Sequence, residues 1–576
     1  MREYRSYGNY DIHPVTAVHG YDDVVIRGYG NIRDILQERL DKKPSLKAVI
    51  DIYPGVDEER LVREFGSLPF SRIVMTSDFK LPDEKMDEVF ESSLSDDRVF
   101  GVMTHKDISD CFDSEAVENI RKYEDSLLII GVGAALFTEP DIILYFDITR
   151  WEIQLRYRAG KGNWMVHNPD DPQLSKYKRG FFIEWRLADK HKDAIIDSVD
   201  YMVDTENPDD PRMIGLDAFR SAFSQASHKP FRMVPYFDPG VWGGQWMKNI
   251  FGLDTSQKNY AWSFDGVPEE NAICFSFGGE TITFPMMDMT LFEPVPFLGS
   301  RNVARFGREF PIRFDLLDTM EGGNLSLQVH PLTEYIQKTF GMHYTQDESY
   351  YILDASENSC VYIGLKDGVD KNEMEAALRE AQRGGKPFDA EKYVNRIPVK
   401  KHDHILIPAG TIHCSGADTM VLEVSATPYI FTFKLWDWGR IGLDGLPRPI
   451  HIDHGMKNIQ FSRTTEWVKE NLIDVFEVVH EDENLLVERT GLHSLEFIET
   501  LRYKSRKPFE VVQKNGVHVL NLVDGKSARI ESFNGSFEPF EVHYAETFIV
   551  PASVGKYRVV PDDGEEIMLL CASVEY

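Results

Sequence analysis

The sequence has a deficit of cations and no long apolar run. Its 576 residues carry 63 Lys and Arg against 94 Asp and Glu, which gives a formal net charge of −31. Binding to nucleic acid needs a basic face, so this balance argues against such a partner, although a few local cations suffice for a phosphorylated small molecule. No stretch approaches the roughly 20 apolar residues of a membrane span. The opening, MREYRSYGNYDIHPV, has no apolar signal core, so we expect neither membrane insertion nor export.

Cysteines are few and dispersed. They are odd in number and never form a CxxC pair, which excludes a disulfide framework and a cysteine zinc site: Cys111, Cys274, Cys360, Cys414 and Cys571. We therefore expect reduced thiols and a cytoplasmic protein. With 42% hydrophobic and 27% charged residues, the chain can build cores, and its length predicts about three or four domains.

The first 205 residues alternate strand-like and helix-like segments. The apolar runs are KAVIDIYP (47–54), SRIVMTSDF (71–79), RVFGVMTH (98–105), SLLIIGVGAAL (126–136) and DIILYFDI (141–148). Helical segments such as DEERLVREF separate them, a pattern typical of a mostly parallel sheet. We predict an α/β domain over 1–205, followed by an acidic, turn-rich linker, TENPDDPRM (205–213).

From about residue 214 the sequence consists of short alternating runs split by Gly, Pro, Asp and Asn. Many short strands with turn signals predict an antiparallel sandwich or barrel. We assign a first β domain to 214–465, with a helical insertion near 370–396 that includes KNEMEAALREAQRGG, and a second to 466–576. No tandem repeat occurs.

Ligand-type side chains fall on three segments of the first β domain. Gln328 and His330 are two apart in LSLQVHP, so a strand would direct both to one face. Glu348 begins an apolar strand, and a Pro-Ala-Gly turn precedes His413. Two imidazoles, a carboxylate and an amide suit Zn²⁺, with Mn²⁺, Fe²⁺ or Co²⁺ as alternatives. A QxH pair alone is also compatible with a polar, hydrogen-bonded barrel wall.

These segments carry a resemblance to a known family. FPIRFDLLD, LSLQVHP, ESYYILDA, IPAGTIH, LEVSATPYIFTFKLWDWGR and LPRPIHID occur in this order. Over about residues 230–576 the sequence resembles the type I mannose-6-phosphate isomerases, most of all their shorter bacterial form. The resemblance implies double-stranded β-helix (cupin) domains. In the second, His543 has no QxH partner nearby, so we expect that domain to lack metal ligands. The resemblance also implies one Zn²⁺ held by Gln328, His330, Glu348 and His413.

That family interconverts mannose 6-phosphate and fructose 6-phosphate, so the resemblance implies an aldose–ketose isomerase. The reaction moves a proton between C2 and C1 through a cis-enediol, and a metal can stabilise charge on the carbonyl oxygen. Arg440 and then Lys434 are candidates for holding the phosphate, and a strand-end salt bridge is the alternative for Arg440. Glu423 matches a family glutamate and is a candidate acid–base group. Arg448 and His451 also match family positions, where support for a loop is equally compatible.

Two departures from the family pattern bear on activity. Many members have a lysine two residues before the ligand glutamate, where this chain has Gln346. An amide there can only hydrogen-bond, whereas a lysine can donate a proton. The family's TYRLYDYGR is TFKLWDWGR here, so Lys434 replaces an arginine and loses its bidentate fork. These changes favour a second hypothesis, a non-catalytic, regulatory protein that binds a sugar phosphate. A cupin oxygenase is disfavoured, because Gln328 would occupy a position that redox iron leaves open.

The N-terminal block faintly resembles uridine-kinase-like phosphotransferases. The likeness lies in SLLIIGVGAALF and DIILYFDITRWEIQLRYRAGKG, but no GxxxxGK[ST] string follows the first strand. GYGNIRDIL (28–36) and AGKGNW (159–164) do not supply it. Arg150, Arg156 and Arg158 are compatible with a solvated helix face. We interpret the block as a degenerate, non-phosphorylating domain that either packs on the isomerase part or mediates a homodimer.

Overall fold

A computed structural model describes residues 6–426, 431–443, 445, 447–491, 493–514 and 516–576. The chain divides into two compact units. The barrel unit comprises the residues up to Pro14, Ala226–Asn271 and Glu293–Tyr576, and the parallel-sheet unit comprises Val15–Gln225 and Ala272–Phe292. The helices of the described residues do not combine the length and apolar character needed to cross a membrane.

Strands in the described residues are numbered along the chain. They are β1 Thr16–Val18, β2 Ile26–Arg27, β3 Lys47–Ile52, β4 Arg72–Met75, β5 Leu127–Gly131, β6 Ile142–Asp147, β7 Tyr201–Asp204, β8 Arg212–Gly215, β9 Tyr236–Asp238, β10 Trp262–Gly266, β11 Ala272–Phe277, β12 Glu280–Pro285, β13 Arg313–Asp318, β14 Leu327–Val329, β15 Asp347–Ala355, β16 Cys360–Leu365, β17 Val394–Pro398, β18 His404–Ile407, β19 His413–Ser415, β20 Thr419–Ala426, β21 Phe433–Trp436, β22 Glu477–Glu481, β23 Leu485–Gly491, β24 Ile498–Ser505, β25 Phe509–Val512, β26 His518–Asp524, β27 Ser527–Ser532, β28 Phe540–His543, β29 Thr547–Val550, β30 Lys556–Pro561 and β31 Ile567–Val574.

Helices are numbered in the same way. They are α1 Gly28–Lys42, α2 Glu58–Phe65, α3 Asp83–Phe90, α4 Ser114–Arg121, α5 Arg150–Arg158, α6 Gln173–Arg179, α7 Trp185–Ile195, α8 Leu216–Ala226, α9 Trp246–Ile250, α10 Met287–Phe292, α11 Pro294–Leu298, α12 Ser300–Phe306, α13 Thr333–Phe340, α14 Lys371–Gln382, α15 Ala390–Tyr393, α16 Ile452–Asn458 and α17 Thr465–Asn471.

The parallel-sheet unit is built on a seven-stranded sheet with the order β2-β8-β7-β6-β3-β5-β4. Strands β3 to β7 run parallel, and β8 and β2 add antiparallel pairs at one edge. The central strands are buried throughout, which explains their continuous apolar sequences. The predicted mostly parallel sheet is thus confirmed for this part of the chain.

Two predictions for the N-terminal block are wrong. Segment 205–213 is not a linker, because it leads from β7 into β8 and these strands pair with each other in the same sheet. Segment 98–105 is not a strand. Its backbone donors reach a loop and a helix instead, with Val102 N bonded to Ser93 O and Thr104 N to Phe182 O. Apolar side chains alone do not supply a neighbouring strand.

The parallel-sheet unit also contains a hairpin that the sequence analysis assigned to the β domain. Strands β11 and β12 pair with each other, and β11 pairs in parallel with β1. Helix α10 follows, and its Asp288 accepts a bond of 2.5 Å from the buried ammonium of Lys192, which also binds Asp147. The unit therefore closes around a chain segment that comes after residue 271.

The barrel unit holds a first pair of antiparallel sheets, with orders β18-β15-β20-β13-β10-β9 and β17-β16-β19-β14-β21. From β13 to β16 and again from β18 to β21, successive strands alternate between the two sheets. This alternation winds the chain as a jelly roll does. Side chains of β14, β15 and β19 that face inward from the two sheets consequently share one interior.

A second pair of sheets follows, with orders β22-β23-β24-β31-β26-β29 and β25-β30-β27-β28. A cluster of buried apolar side chains, including Leu520, Phe548 and Tyr557, fills the space between them. His543 of β28 bonds to Glu546 at 3.1 Å. Both pairs of sheets belong to one compact unit, so the bounds predicted at 465 and 466 do not separate compact units.

The predicted helical insertion is confirmed as α14. Asp370 caps its start by accepting from Glu373 N, and Met374 and Leu378 are buried at i and i+4. Gly384, at φ +81°, follows its end, as expected where the chain leaves a helix in the left-handed region. Of the family motif LEVSATPYIFTFKLWDWGR, residues 427–430 lie outside the described residues, as do Leu446 of LPRPIHID and the first five residues of the chain.

Candidate metal centre

The four side chains predicted as ligands meet in the interior of the first barrel. Gln328 lies on β14, with His330 just beyond its end, while Glu348 lies on β15 and His413 begins β19. All four are buried. The Nε2 atoms of His413 and His330 lie 2.6 Å and 3.1 Å from the two carboxylate oxygens of Glu348, and the Gln328 amide lies 3.3 Å from His413 Nε2. Among the described residues, His330, Glu348 and His413 form one group compatible with a metal ion.

Each imidazole is oriented by a backbone carbonyl. His330 Nδ1 lies 2.8 Å from Phe431 O, and His413 Nδ1 lies 2.9 Å from Thr411 O. A carbonyl can only accept, so each Nδ1 carries the proton and each Nε2 presents a lone pair. Backbone carbonyls orient metal-ligating histidines in the same way.

This arrangement leaves acceptors facing acceptors. His330 Nε2 and Glu348 Oε1 are buried without a hydrogen-bond partner, although both lie near other polar atoms, because lone pairs oppose one another there. Unpaired buried polar atoms cost free energy, and a cation among them removes the conflict. The donor set therefore fits a divalent transition metal.

Electrostatic effects at Glu348 act in opposite directions. Burial raises the pKa of its carboxyl, while the His330 and His413 imidazoles lower it, and the net pKa lies well below the ordinary value. For His330, burial lowers the pKa and Glu348 raises it, with a net increase. A proton on His330 Nε2 would relieve the same conflict of lone pairs, and a metal that binds there takes the place of that proton.

The turn before His413 is held by residues that the sequence analysis did not single out. Arg463 donates from Nη1 to Pro408 O at 2.7 Å and to Ala409 O at 2.8 Å. Asp347 accepts from Ala409 N at 2.8 Å. Gly410 has φ +85°, and a Cβ there would lie 2.8 Å from Leu332 and 2.9 Å from a backbone oxygen. Arg463 is 54 positions from Ala409, and no motif marks it.

Gln346 lies beside the centre with both ends of its amide engaged. Its Nε2 donates to Glu348 Oε2 at 3.1 Å, and its Oε1 accepts from Phe431 N at 3.1 Å. The family pattern has a lysine at this position, which could not accept from Phe431 N.

Acidic groups continue the interior layer from β15 across β20 to β13. Glu423 lies opposite Tyr350 on β15 and opposite Asp315 on β13. Burial, Asp315 and Glu348 raise the pKa of Glu423 well above its usual range. Burial likewise raises the pKa of Asp315. This shift favours the protonated form of Glu423 beside the predicted ligand Glu348, and Asp315 is a neighbour that no motif in the sequence marks.

The two candidate cations for a phosphate differ in their surroundings. Lys434 lies opposite Gln328 in the β14–β21 pairing, so both side chains share the inner face. Burial and then Arg448 lower the pKa of Lys434 to about 7. Arg440 donates to Asn324 O at 2.7 Å and to Asp437 Oδ1 at 2.5 Å, which is the strand-end salt bridge given as its alternative.

Asp437 contacts two side chains besides Arg440. It accepts from Ser326 Oγ at 2.6 Å and pairs with Arg448 Nε at 2.8 Å. His451 N donates to Lys434 O at 2.8 Å. Arg448 therefore contacts Asp437, and His451 contacts the strand that carries Lys434.

The N-terminal arginines are not a uniformly solvated helix face. Arg150 is buried and pairs with Asp189 at 2.6 Å, and Arg156 pairs with Glu152 and donates to Gly55 O and Thr205 O. The predicted solvated face is wrong for these two side chains. Arg158 packs over the Trp151 ring.

Comparison with known proteins relates the two parts of the chain to different groups. Residues 28–228 match a family described as a domain of unknown function (DUF8485). The chain is 22% identical over 334 residues to the probable mannose-6-phosphate isomerase GmuF of Bacillus subtilis, which covers 57% of this chain and 96% of that protein. It is 24% identical over 237 residues to the mannose-6-phosphate isomerase ManA of Bacillus subtilis, covering 40% and 68%.

Across four such relatives the chain spans from 63 to 96% of their own length. A crystal structure of the Bacillus subtilis mannose 6-phosphate isomerase is also similar, at 18% identity and a TM-score of 0.48, with 60% of this chain and 99% of that chain covered. The predicted resemblance to mannose-6-phosphate isomerases is thus confirmed at low sequence identity for part of the chain, while the resemblance of the N-terminal block to kinases stays a prediction.

Proposed function

We propose that this protein is a metal-dependent aldose–ketose isomerase that interconverts mannose 6-phosphate and fructose 6-phosphate, or a related sugar phosphate. The observation that carries the proposal is the convergence of Gln328, His330, Glu348 and His413 inside one barrel. That barrel lies in the part of the chain that is similar to proteins named mannose-6-phosphate isomerases. We assign the barrel to the cupins on its winding and on this resemblance.

The four residues would hold Zn²⁺, which when bound supplies a Lewis acid that polarises the sugar's carbonyl oxygen. Phe431 O and Thr411 O keep the two Nε2 lone pairs directed at the centre. The surrounding sheets bury these groups and exclude water, which strengthens every electrostatic interaction among them.

Glu423 is the residue we assign to proton transfer. The pKa of its buried carboxyl is raised beside Glu348. In the ionised form this carboxylate would take the proton from one sugar carbon to form the enediol, and it would then return that proton to the neighbouring carbon. Asp315 faces Glu423 across the β13–β20 pairing, and its negative charge raises the pKa of the Glu423 carboxyl.

Lys434 is the residue we assign to the sugar's phosphate. It shares the inner face with Gln328, whereas Arg440 is engaged with Asp437 and Asn324. A single ammonium binds phosphate without the fork geometry of a guanidinium, which is compatible with substrates other than mannose 6-phosphate. A homodimer and a role for the N-terminal block remain predictions.

The test is a coupled isomerase assay on wild type and His413→Ala, run beside metal analysis. We expect about one Zn²⁺ per wild-type chain, turnover that a chelator abolishes, and loss of both metal and turnover in His413→Ala. His518→Ala is the matched control. It also removes a buried imidazole, but from the second pair of sheets, where His518 bonds to Tyr557.

Two results would contradict the proposal in different ways. Bound metal and ligand-dependent thermal stabilisation without turnover of any sugar phosphate would indicate the non-catalytic binder instead. A wild-type protein that neither retains metal nor isomerises would remove the centre itself.

A further inference from the structure

Gln346 connects three elements of the centre through one side chain. Its amide Nε2 donates to Glu348 Oε2, and its Oε1 accepts from Phe431 N, each at 3.1 Å. The Phe431 carbonyl oxygen in turn accepts a hydrogen bond from His330 Nδ1, with 2.8 Å between the two atoms. One amide thus contacts a predicted ligand directly and reaches a second through the backbone N–H and C=O of one residue.

Chemistry fixes which way this amide points. A backbone N–H can only donate, so the atom of Gln346 that faces Phe431 N must be the carbonyl oxygen. The NH₂ group then faces Glu348, whose carboxylate accepts. The two contacts agree on one orientation, which settles the usual ambiguity between the amide oxygen and nitrogen.

Neither a lysine nor an ionised glutamate would satisfy both partners of Gln346. A lysine has three donors and no acceptor, so it could not accept the hydrogen bond from Phe431 N. An ionised glutamate would accept from Phe431 N but would oppose the Glu348 carboxylate. Gln346 is itself buried, so either mismatch would leave a buried polar group unpaired.

We propose that Gln346 is a positioning residue that sets the orientation of Glu348 and, through Phe431, of His330, and thereby the affinity of the centre for its metal. This inference rests on the proposed metal-dependent function. On this account the amide is not a degraded form of the family's lysine, because both hydrogen bonds described for it serve the ligand set.

The test measures metal binding rather than turnover. Gln346→Met keeps the side-chain length and removes both hydrogen bonds, and Gln346→Asn keeps the amide but shortens its reach. With Co²⁺ as the probe, competition with a chelator gives the affinity and the visible absorption spectrum reports the ligand geometry. We expect both variants to bind Co²⁺ about 10–100-fold more weakly, the usual cost of removing a partner of a metal ligand, with a shifted spectrum.

Gln337→Met is the matched control. Gln337 is an exposed glutamine on α13 whose Nε2 donates to His343 O, so its loss should leave affinity and spectrum unchanged. Thermal unfolding identifies any variant that fails to fold, and the other variant then carries the test. Wild-type affinity and spectrum in a folded Gln346 variant would overturn the inference alone, whereas a wild-type protein that binds no Co²⁺ would overturn the proposed function.

Discussion

The metal centre should contribute measurably to the stability of the barrel unit, and Glu348→Gln should abolish that contribution. Glu348 lies within 3.1 Å of both imidazole Nε2 atoms, and the lone pairs there oppose one another unless a cation lies among them. On the proposed function, Zn²⁺ binds this arrangement in the folded chain. In the unfolded chain the ligands come from positions up to 85 residues apart, so binding favours folding.

The size of the effect follows from mass action. At free Zn²⁺ about 100 times the dissociation constant, the free energy of unfolding should rise by about 2.7 kcal/mol. The barrel unit has roughly 340 residues, and unfolding entropy of about 2.1 cal/mol/K per residue converts this gain into a rise in Tm of about 4 °C. Differential scanning calorimetry, with Zn²⁺ and then with excess chelator, measures it.

Glu348→Gln provides the comparison in the same assay. An amide can donate to an Nε2 lone pair, so the variant treated with chelator should be as stable as wild type under the same conditions, while its Tm should no longer respond to Zn²⁺. An equal Zn²⁺ response in both proteins would refute the reasoning, because the ion would then be bound elsewhere. So would a wild-type Tm that is unchanged at saturating Zn²⁺.

Three further outcomes are expected. Burial raises the pKa of Glu206 from 4.5 to about 8. Between these pH values the folded chain keeps a proton that the unfolded chain loses, so the free energy of unfolding falls as pH rises from about 4.5 to 8. Glu206→Gln should remove this pH dependence in denaturant titrations, an effect of at most about 5 kcal/mol at about 1.4 kcal/mol per pKa unit. Arg463→Met should cost about 2–4 kcal/mol in the same titrations, because it leaves buried carbonyls of the turn before His413 unpaired, and it should weaken Zn²⁺ binding; unchanged affinity would show that the turn needs no such support. Lys434→Met should raise KM for the sugar phosphate at least tenfold, whereas Arg440→Met should chiefly lower Tm, and the reverse pattern would exchange the two assignments.

The convergence of the four side chains predicted as ligands could be predicted because it depends on short-range rules. Gln328 and His330 share a face by strand parity, and the turn before His413 is marked by Pro, Ala and Gly. Inward-facing parity also accounts for Lys434, once its strand is aligned opposite β14. Each of these inferences needs only a few consecutive residues.

What could not be predicted depends on long-range pairing. Segment 205–213 has the composition of a linker. However, β7 before it pairs with β8, which begins at Arg212, and amino-acid composition carries no information about strand pairing. Arg463 and Gln346 act through backbone atoms 50 or more positions away, and no side-chain pattern records those partners. The pairing of β11 with β1 joins segments more than 250 positions apart.

The return of residues 272–292 to the parallel-sheet unit has a consequence for any attempt to produce that unit alone. A fragment ending near residue 225 would lack β11, β12 and α10, and the ammonium of Lys192 would keep Asp147 but lose Asp288. During synthesis, likewise, the N-terminal half cannot complete its own interior until the ribosome has passed residue 292. Shortened versions should therefore be insoluble or loosely folded unless the missing hairpin and helix are grafted back.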